Sequence, residues 1–324
     1  AAIFKLAISD EARASGNPDE SESDSEQVPS DPRRRPLRKT EWMQEHCETG
    51  GFPTCHGFTP SDIASGMGYY SFNPRPGLRF VVLDTIAENG GDGGNVDSTQ
   101  FNWLHDQLRD AESKRELVVT FAHHSLETMN QPPLSIFGVG DNGGDPDPAV
   151  HYGMSSGGPL PTTPCTLSDP ALPPTPDETV RCLFLRHPSV VAYVNGHEHN
   201  NRINAFERRD GQGKTLGGFW QINTAAHIDW PQQSRTIDLV DNRDGNLSLF
   251  GTAIDQAGSP NPGGAPPSDG SGESPEAVQR LASISRELSY NDPDALNGED
   301  GRSDARGSRE DRNVELIVRN PYAG

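Results

Sequence analysis

Residues 190–199 read VVAYVNGHEH. Five of the first six are apolar, rich in valine, as in a strand buried on both faces. The glycine at 196 then permits a tight turn, and that turn presents two histidines two positions apart. The same design stands at residues 116–124, ELVVTFAHH, where a second apolar run ends in adjacent histidines. Upstream, YYSF (69–72) and RFVVLDT (79–85) read as two further strands. A Gly/Asn/Asp loop, ENGGDGGN (88–95), follows them. Asp97 or Ser98 then caps a predicted helix to about Ala111, with Phe101, Leu104 and Leu108 on one face. A second helix, predicted over 177–186, leads into the strand at 190–195. Strand, helix, strand, loop, helix, strand is the rhythm of a layered α/β fold.

Four more strands are expected at 202–207, 218–223, 235–240 and 247–254, with Asp244-Gly245 turning the last pair into a hairpin. A Gly/Pro/Ser-rich linker spans 257–273, a helix is predicted over 275–290, and NVELIV (313–318) reads as a final strand. Residues 10–36 are acidic, then abruptly basic, as in a disordered or surface connector. The expected organisation is a polar, partly disordered connector over 1–60, the main domain over 61–256, the linker, and a C-terminal helix and strand over 274–324. No internal repeats are found. Residues 125–176 read as a long Gly/Pro/Asp-rich loop, a length that often signals function.

Composition narrows the function. Of 324 residues, 34 are glycine and 28 proline, about a fifth of the chain, which excludes a helical bundle. No stretch approaches the roughly 18 apolar residues of a membrane-spanning helix. The net charge of −20 disfavours binding to nucleic-acid backbones. A phosphorylated substrate would have to be drawn by a local cation, such as a bound metal. The four cysteines form no C-x-x-C pair. Their even number fits two disulfides, Cys47–Cys55 and Cys165–Cys182, as in a secreted, periplasmic or cell-envelope protein. Four reduced thiols in a cytosolic protein is the competing reading.

Both histidine clusters close buried strands, and in open α/β sheets ligands bind at that edge. His123, His197 and His199 are therefore candidate metal ligands, imidazole being suited to zinc, iron and manganese. His124 either joins them or supports them, and with His227 is a candidate catalytic histidine. Asn195, Asn200 and Asp229 are candidate substrate contacts, with fixing the turn as the alternative role of Asn195 and Asn200; Asp229 and His227 either line the pocket rim, orient a ligand histidine or anchor their loop by a hydrogen bond. Asp84 reads as structural. His197-Glu198 begins like H-E-x-x-H, but position 201 is asparagine. Residues 153–157 spell G-x-S-x-G without the strand-to-helix context a nucleophilic Ser155 needs. No P-loop or dinucleotide fingerprint is present.

The order LDT (83–85), QFNWL (100–104), VVTFAHH (118–124) and VVAYVNGHEH (190–199) resembles the C-terminal half of calcineurin-like metallophosphoesterases, which include purple acid phosphatases. DPRRRPL (31–37), HGF (56–58), GYYSF (68–72), GFWQINTAAHIDWPQQSR (218–235) and DRNVELIV (311–318) resemble an exported bacterial branch of that superfamily. The resemblance covers roughly residues 30–320. It implies a β-sandwich flanked by helices and two divalent or trivalent ions (Fe, Zn or Mn). His123 and His197 would hold one ion and His199 the other. The implied reaction is hydrolysis of a phosphate mono- or diester by a metal-activated hydroxide. The family pattern runs D-x-H, GD-x-x-D, GNH-D/E, a histidine and GH-x-H, and only the last two blocks occur here. The expectation is a C-terminal portion whose remaining ligands lie outside this chain, with weak metal affinity and little turnover alone. A non-catalytic binding or interaction module that keeps the fold is the alternative.

Overall fold

A computed structural model of the chain describes residues 5–6, 25–26, 31–33, 35, 37–50, 54–87, 92–132, 150–154, 165, 167–258, 275–291 and 305–323. These fall into two compact units, residues 1–68 and 69–324. Most of the connector read at 10–36, most of the linker at 257–273, much of the loop at 125–176 and Ser155 lie outside the described residues.

In the first unit, strand β1 (Lys5–Leu6) pairs antiparallel with β2 (Ser25–Glu26). Helix α1 (Lys39–Glu48) and helix α2 (Pro60–Ser65) follow, and a disulfide joins Cys47 to Cys55. Helix α2 begins on a reciprocal cap: Asp62 N donates to Thr59 Oγ1 at 3.2 Å, while Thr59 N donates to the Asp62 carboxylate at 2.8 Å.

In the second unit the elements run β3 (Tyr70–Arg75), β4 (Leu78–Val82), β5 (Val96–Asp97), α3 (Ser98–Ser113), β6 (Leu117–Phe121), β7 (Val150–His151), α4 (Val180–Arg186) and β8 (Val190–Asn195). They continue through β9 (Arg202–Arg209), β10 (Thr215–Asn223), β11 (Gln233–Asp241), β12 (Asn246–Asp255), α5 (Pro275–Asn291) and β13 (Val314–Arg319). The main sheet has the order β3-β4-β6-β8-β10-β9. Strands β4, β6, β8 and β10 are parallel, and β3 and β9 close the two edges antiparallel. Three antiparallel strands, β11-β12-β13, form a second sheet.

The two faces of the main sheet bury separate cores. On one, Phe101, Leu104 and Leu108 of α3 and Leu183 and Phe184 of α4 pack with Val81, Val118, Val190 and Tyr193. On the other, Val119, Val191, Ala192 and Ile222 meet Leu247 and Leu249 of β12 and Leu316 and Val318 of β13. The architecture is the expected mixed α/β sandwich, with helices on one side of the central sheet and a smaller sheet on the other. Leu104 is fully buried in the helix-side core, so Leu104→Ala is expected to cost about 2–5 kcal/mol. A urea titration showing no shift in midpoint would contradict this packing.

Helix α4 starts at Val180, three residues after the position read from the sequence. Thr179 is the reason: its hydroxyl accepts from Cys182 N at 3.2 Å and caps the helix there. The second disulfide, Cys165–Cys182, enters the same helix. Within the 125–176 segment, β7 pairs with β5. Among the described residues no helix is long and apolar enough to cross a membrane.

Candidate metal centre

Because β4, β6, β8 and β10 run parallel, the segments that follow them emerge at one edge of the sheet. The turn after β8 is clipped to the end of β6. Gly196 N and His197 N both donate to the His123 carbonyl, at 3.0 and 2.9 Å. His199 N closes the turn on the Gly196 carbonyl at 3.2 Å, and His199 takes a left-handed conformation (φ 51°). Histidine is among the residues enriched there. The outcome is a contact of 3.0 Å between His123 Nε2 and His197 Nδ1. Among the described residues, His123, His124 and His197 offer ring nitrogens within 4.8 Å of one another, and no carboxylate belongs to that group.

The three imidazoles are not equivalent. His124 Nδ1 lies 2.8 Å from Thr85 Oγ1 and its Nε2 lies 3.0 Å from the Asp92 carbonyl. A carbonyl only accepts, so Nε2 carries the proton and Nδ1 accepts from the threonine hydroxyl. Burial pushes the His124 pKa down to about 4, which keeps the ring neutral. Its carbonyl accepts from the wholly buried Tyr193 hydroxyl. Gly94 packs beneath the ring, where a Cβ would sit 2.5 Å from His124 Cγ and 2.8 Å from the Thr85 carbonyl. His124 is thus fixed by protein groups on both nitrogens. His123 and His197 are more exposed, and burial lowers both of their pKa values.

At 3.0 Å the two nitrogens either form an N–H···N hydrogen bond, one neutral imidazole donating and the other accepting, or share a cation. Two nitrogens on one tetrahedral zinc ion, at about 2.0–2.1 Å each, stand about 3.3 Å apart. The His123–His197 separation is close to that distance, and both rings would turn from facing each other to face a shared ion.

His199 lies outside this group, and its Nδ1 donates to the Asp229 carboxylate. Both side chains are nearly half exposed, and among the described residues His199 Nε2 has no hydrogen-bond partner. A histidine held by a carboxylate on its far nitrogen is the usual arrangement in metal sites. His227 stands apart, with Nε2 2.6 Å from Ser234 Oγ, and lines an open pocket with Gln232, Ile254, Asp255 and Ser285. Asn195 is 3% exposed, and neither its amide oxygen nor its nitrogen finds a hydrogen-bond partner among the described residues. Its cross-strand neighbour Asn223 donates to Asn200 twice, to the carbonyl and to the side-chain oxygen, both at 2.7 Å. Asn200 is therefore a pin between strands. Asp84 is tied to Gln100, donating N–H to Oε1 at 2.8 Å and accepting from Nε2 at 2.7 Å.

Sequence reasoning passed over Thr85 and Tyr193, the groups that hold His124, and over Glu127, Arg202 and Gln221, which connect the histidine loops. Thr85 had a legible signal in its place at the end of the 79–85 strand run. The others are polar residues within or beside strands, and nothing in their spacing marks them.

No protein-family model and no curated protein sequence matches this chain. Among solved structures it is similar to a dimetal phosphatase from Danio rerio, with a TM-score of 0.33 and 17% identity over 60% of this chain. The match spans 62% of that phosphatase's length.

Proposed function

We propose that this chain carries the C-terminal half of a metal-dependent phosphoesterase acting on phosphate mono- or diesters. The observation that carries this reading is the 3.0 Å approach of His123 Nε2 and His197 Nδ1 at the carboxyl edge of the parallel strands. His123 and His197 hold one cation there. His199, oriented by Asp229, holds a second, which needs ligands from beyond these residues. Zinc, iron and manganese all suit imidazole. A bound ion would supply positive charge for a phosphoryl oxygen and acidify a water molecule. That charge matters in a chain of net charge −20, which otherwise repels phosphate.

The protein's own groups do the rest. The Asn195 amide is buried with both polar atoms unpartnered among the described residues, so it would serve a substrate as donor and acceptor only once that strand end is uncovered. Asn200 keeps that strand end in register through Asn223, and Asp229 aims His199. His124 keeps its proton on the Asp92 carbonyl and backs the ligand pair, entering proton transfer only if that bond is released. His227 is the exposed imidazole at the rim. The proposed catalytic domain spans 61–256, with the connector before it and the C-terminal helix and strand after 274. The two disulfides suit an exported protein.

The D-x-H, GD-x-x-D and GNH-D/E blocks are absent from these 324 residues, so the chain alone is expected to bind Zn²⁺ or Mn²⁺ weakly. Hydrolysis of p-nitrophenyl phosphate and its bis-ester should stay near background. Turnover at rates ordinary for phosphatases would overturn the half-domain reading, and failure to bind either metal would overturn the metal reading. A non-catalytic binding module is the second reading. The imidazole group without a carboxylate favours it, and phosphate-ester binding without metal would support it.

A further inference from the structure

Glu198 stands between His197 and His199, where its carboxylate is well placed to compete for a cation, yet it is held elsewhere. Both of its oxygens accept from Arg202 Nη2, at 2.5 and 2.6 Å. The same nitrogen lies 3.8 Å from Glu127, four residues beyond His123. Glu127 in turn accepts from Gln221 Nε2 at 2.8 Å, and Gln221 Oε1 accepts from Leu126 N at 3.0 Å. Gln221 lies on β10 and is fully buried, so this path is anchored in the sheet. It runs from the turn after β8, through the first residue of β9, to the loop after β6. Those are the two segments that carry the candidate ligands.

We propose that Arg202 is a positioning residue for the metal centre: it binds Glu198 and Glu127 together, holds the His197 turn against the His123 loop, and keeps the Glu198 carboxylate off the cation. The inference rests on His123 and His197 being ligands. One guanidinium between two carboxylates leaves a net negative charge beside the imidazoles, which favours cation binding. Without Arg202 the two carboxylates repel each other, and Glu198, adjacent to His197 in the chain, turns toward the ion. Groups that orient metal ligands typically change affinity about 10–100-fold when removed.

Cobalt(II) serves as the probe, because its visible absorption reports ligand type. Arg202→Met is expected to weaken Co²⁺ binding about 10-fold or more and to change the spectrum as an oxygen ligand enters. Arg202→Lys, which keeps a cation at that place, should restore the wild-type spectrum. The double variant Arg202→Met, Glu198→Gln should recover the spectrum but not the affinity. Glu198→Ala, which loosens the turn without freeing a carboxylate, should weaken binding and leave the spectrum unchanged; it tests the idea even if Arg202→Met does not fold. Wild-type affinity and spectrum in both Arg202→Met and Glu198→Ala would overturn the positioning role and leave the metal reading intact. Absence of Co²⁺ binding by the wild-type chain would overturn the metal reading itself.

Discussion

Alanine at position 153 is expected to destabilise the protein by about 3 kcal/mol or more. A Cβ there would lie 1.9 Å from the Leu126 carbonyl oxygen and 2.6 Å from its carbon. Both are backbone atoms, so no side-chain rotation relieves the clash. Neither chain is free to retreat. Gly153 N donates to the Met129 carbonyl at 2.9 Å, and its own carbonyl accepts from Arg181 N at 3.1 Å. Leu126 is held in turn by Gln221. The segment that must move is the one following His123 and His124, so Gly153→Ala should also weaken metal binding. Urea unfolding reads the first effect and calorimetric metal titration the second. An unchanged unfolding midpoint would show that residues 126 and 153 do not approach as described.

Replacing His197 separates ligand from support. His197→Ala should lower Zn²⁺ or Co²⁺ affinity by about 100-fold or more, beyond the range seen when groups behind a ligand are removed. Stability should change little, because the ring is partly exposed and its contacts are mainly the neighbouring imidazoles. His124→Ala should do the reverse. It strips a partner from the buried Thr85 hydroxyl and from the carbonyl of the exposed Asp92, and the buried hydroxyl alone accounts for about 1–3 kcal/mol. Equal metal affinity in His197→Ala and the wild type would remove this cluster from consideration. A large stability loss in His197→Ala would assign that ring a structural role.

Much of the second unit was legible because burial on both faces leaves a simple signature. β6 and β8 are runs of apolar residues, and α3 carries its stripe at Phe101, Leu104 and Leu108, all fully buried. The Asp244-Gly245 turn joins β11 to β12, which pair from Gln233 with Asp255 to Asp241 with Leu247. The start of β9 at Arg202 was legible, but its C-terminal end was not. That strand runs to Arg209 through Glu207 and Arg208, where pairing with β10 prevails over polar composition. Helix α1 lies where composition reads as connector, and α2 opens the segment read as the main domain; neither helix was expected. In α1 only Met43 is buried, and no residue of α2 is, so neither shows an apolar period. The capping pair Thr59 and Asp62 was the available clue to α2.

The sequence alone determined that two imidazole-bearing segments end buried parallel strands, because apolar runs and a glycine turn leave few other ways to dispose of them. It also determined that these 324 residues contain no D-x-H, GD-x-x-D or GNH-D/E block. Only the tertiary structure decided which histidines meet. His123 and His124 are adjacent and both rings stand beside His197, yet only His123 bonds to it, while the nitrogens of His124 are taken by Thr85 and Asp92. His197 and His199 likewise part, one to His123 and one to Asp229. The physical reason is that side-chain direction at a strand end is set by hydrogen bonds to distant backbone and by the space a residue such as Gly94 leaves open. Neither is encoded in the spacing of the histidines.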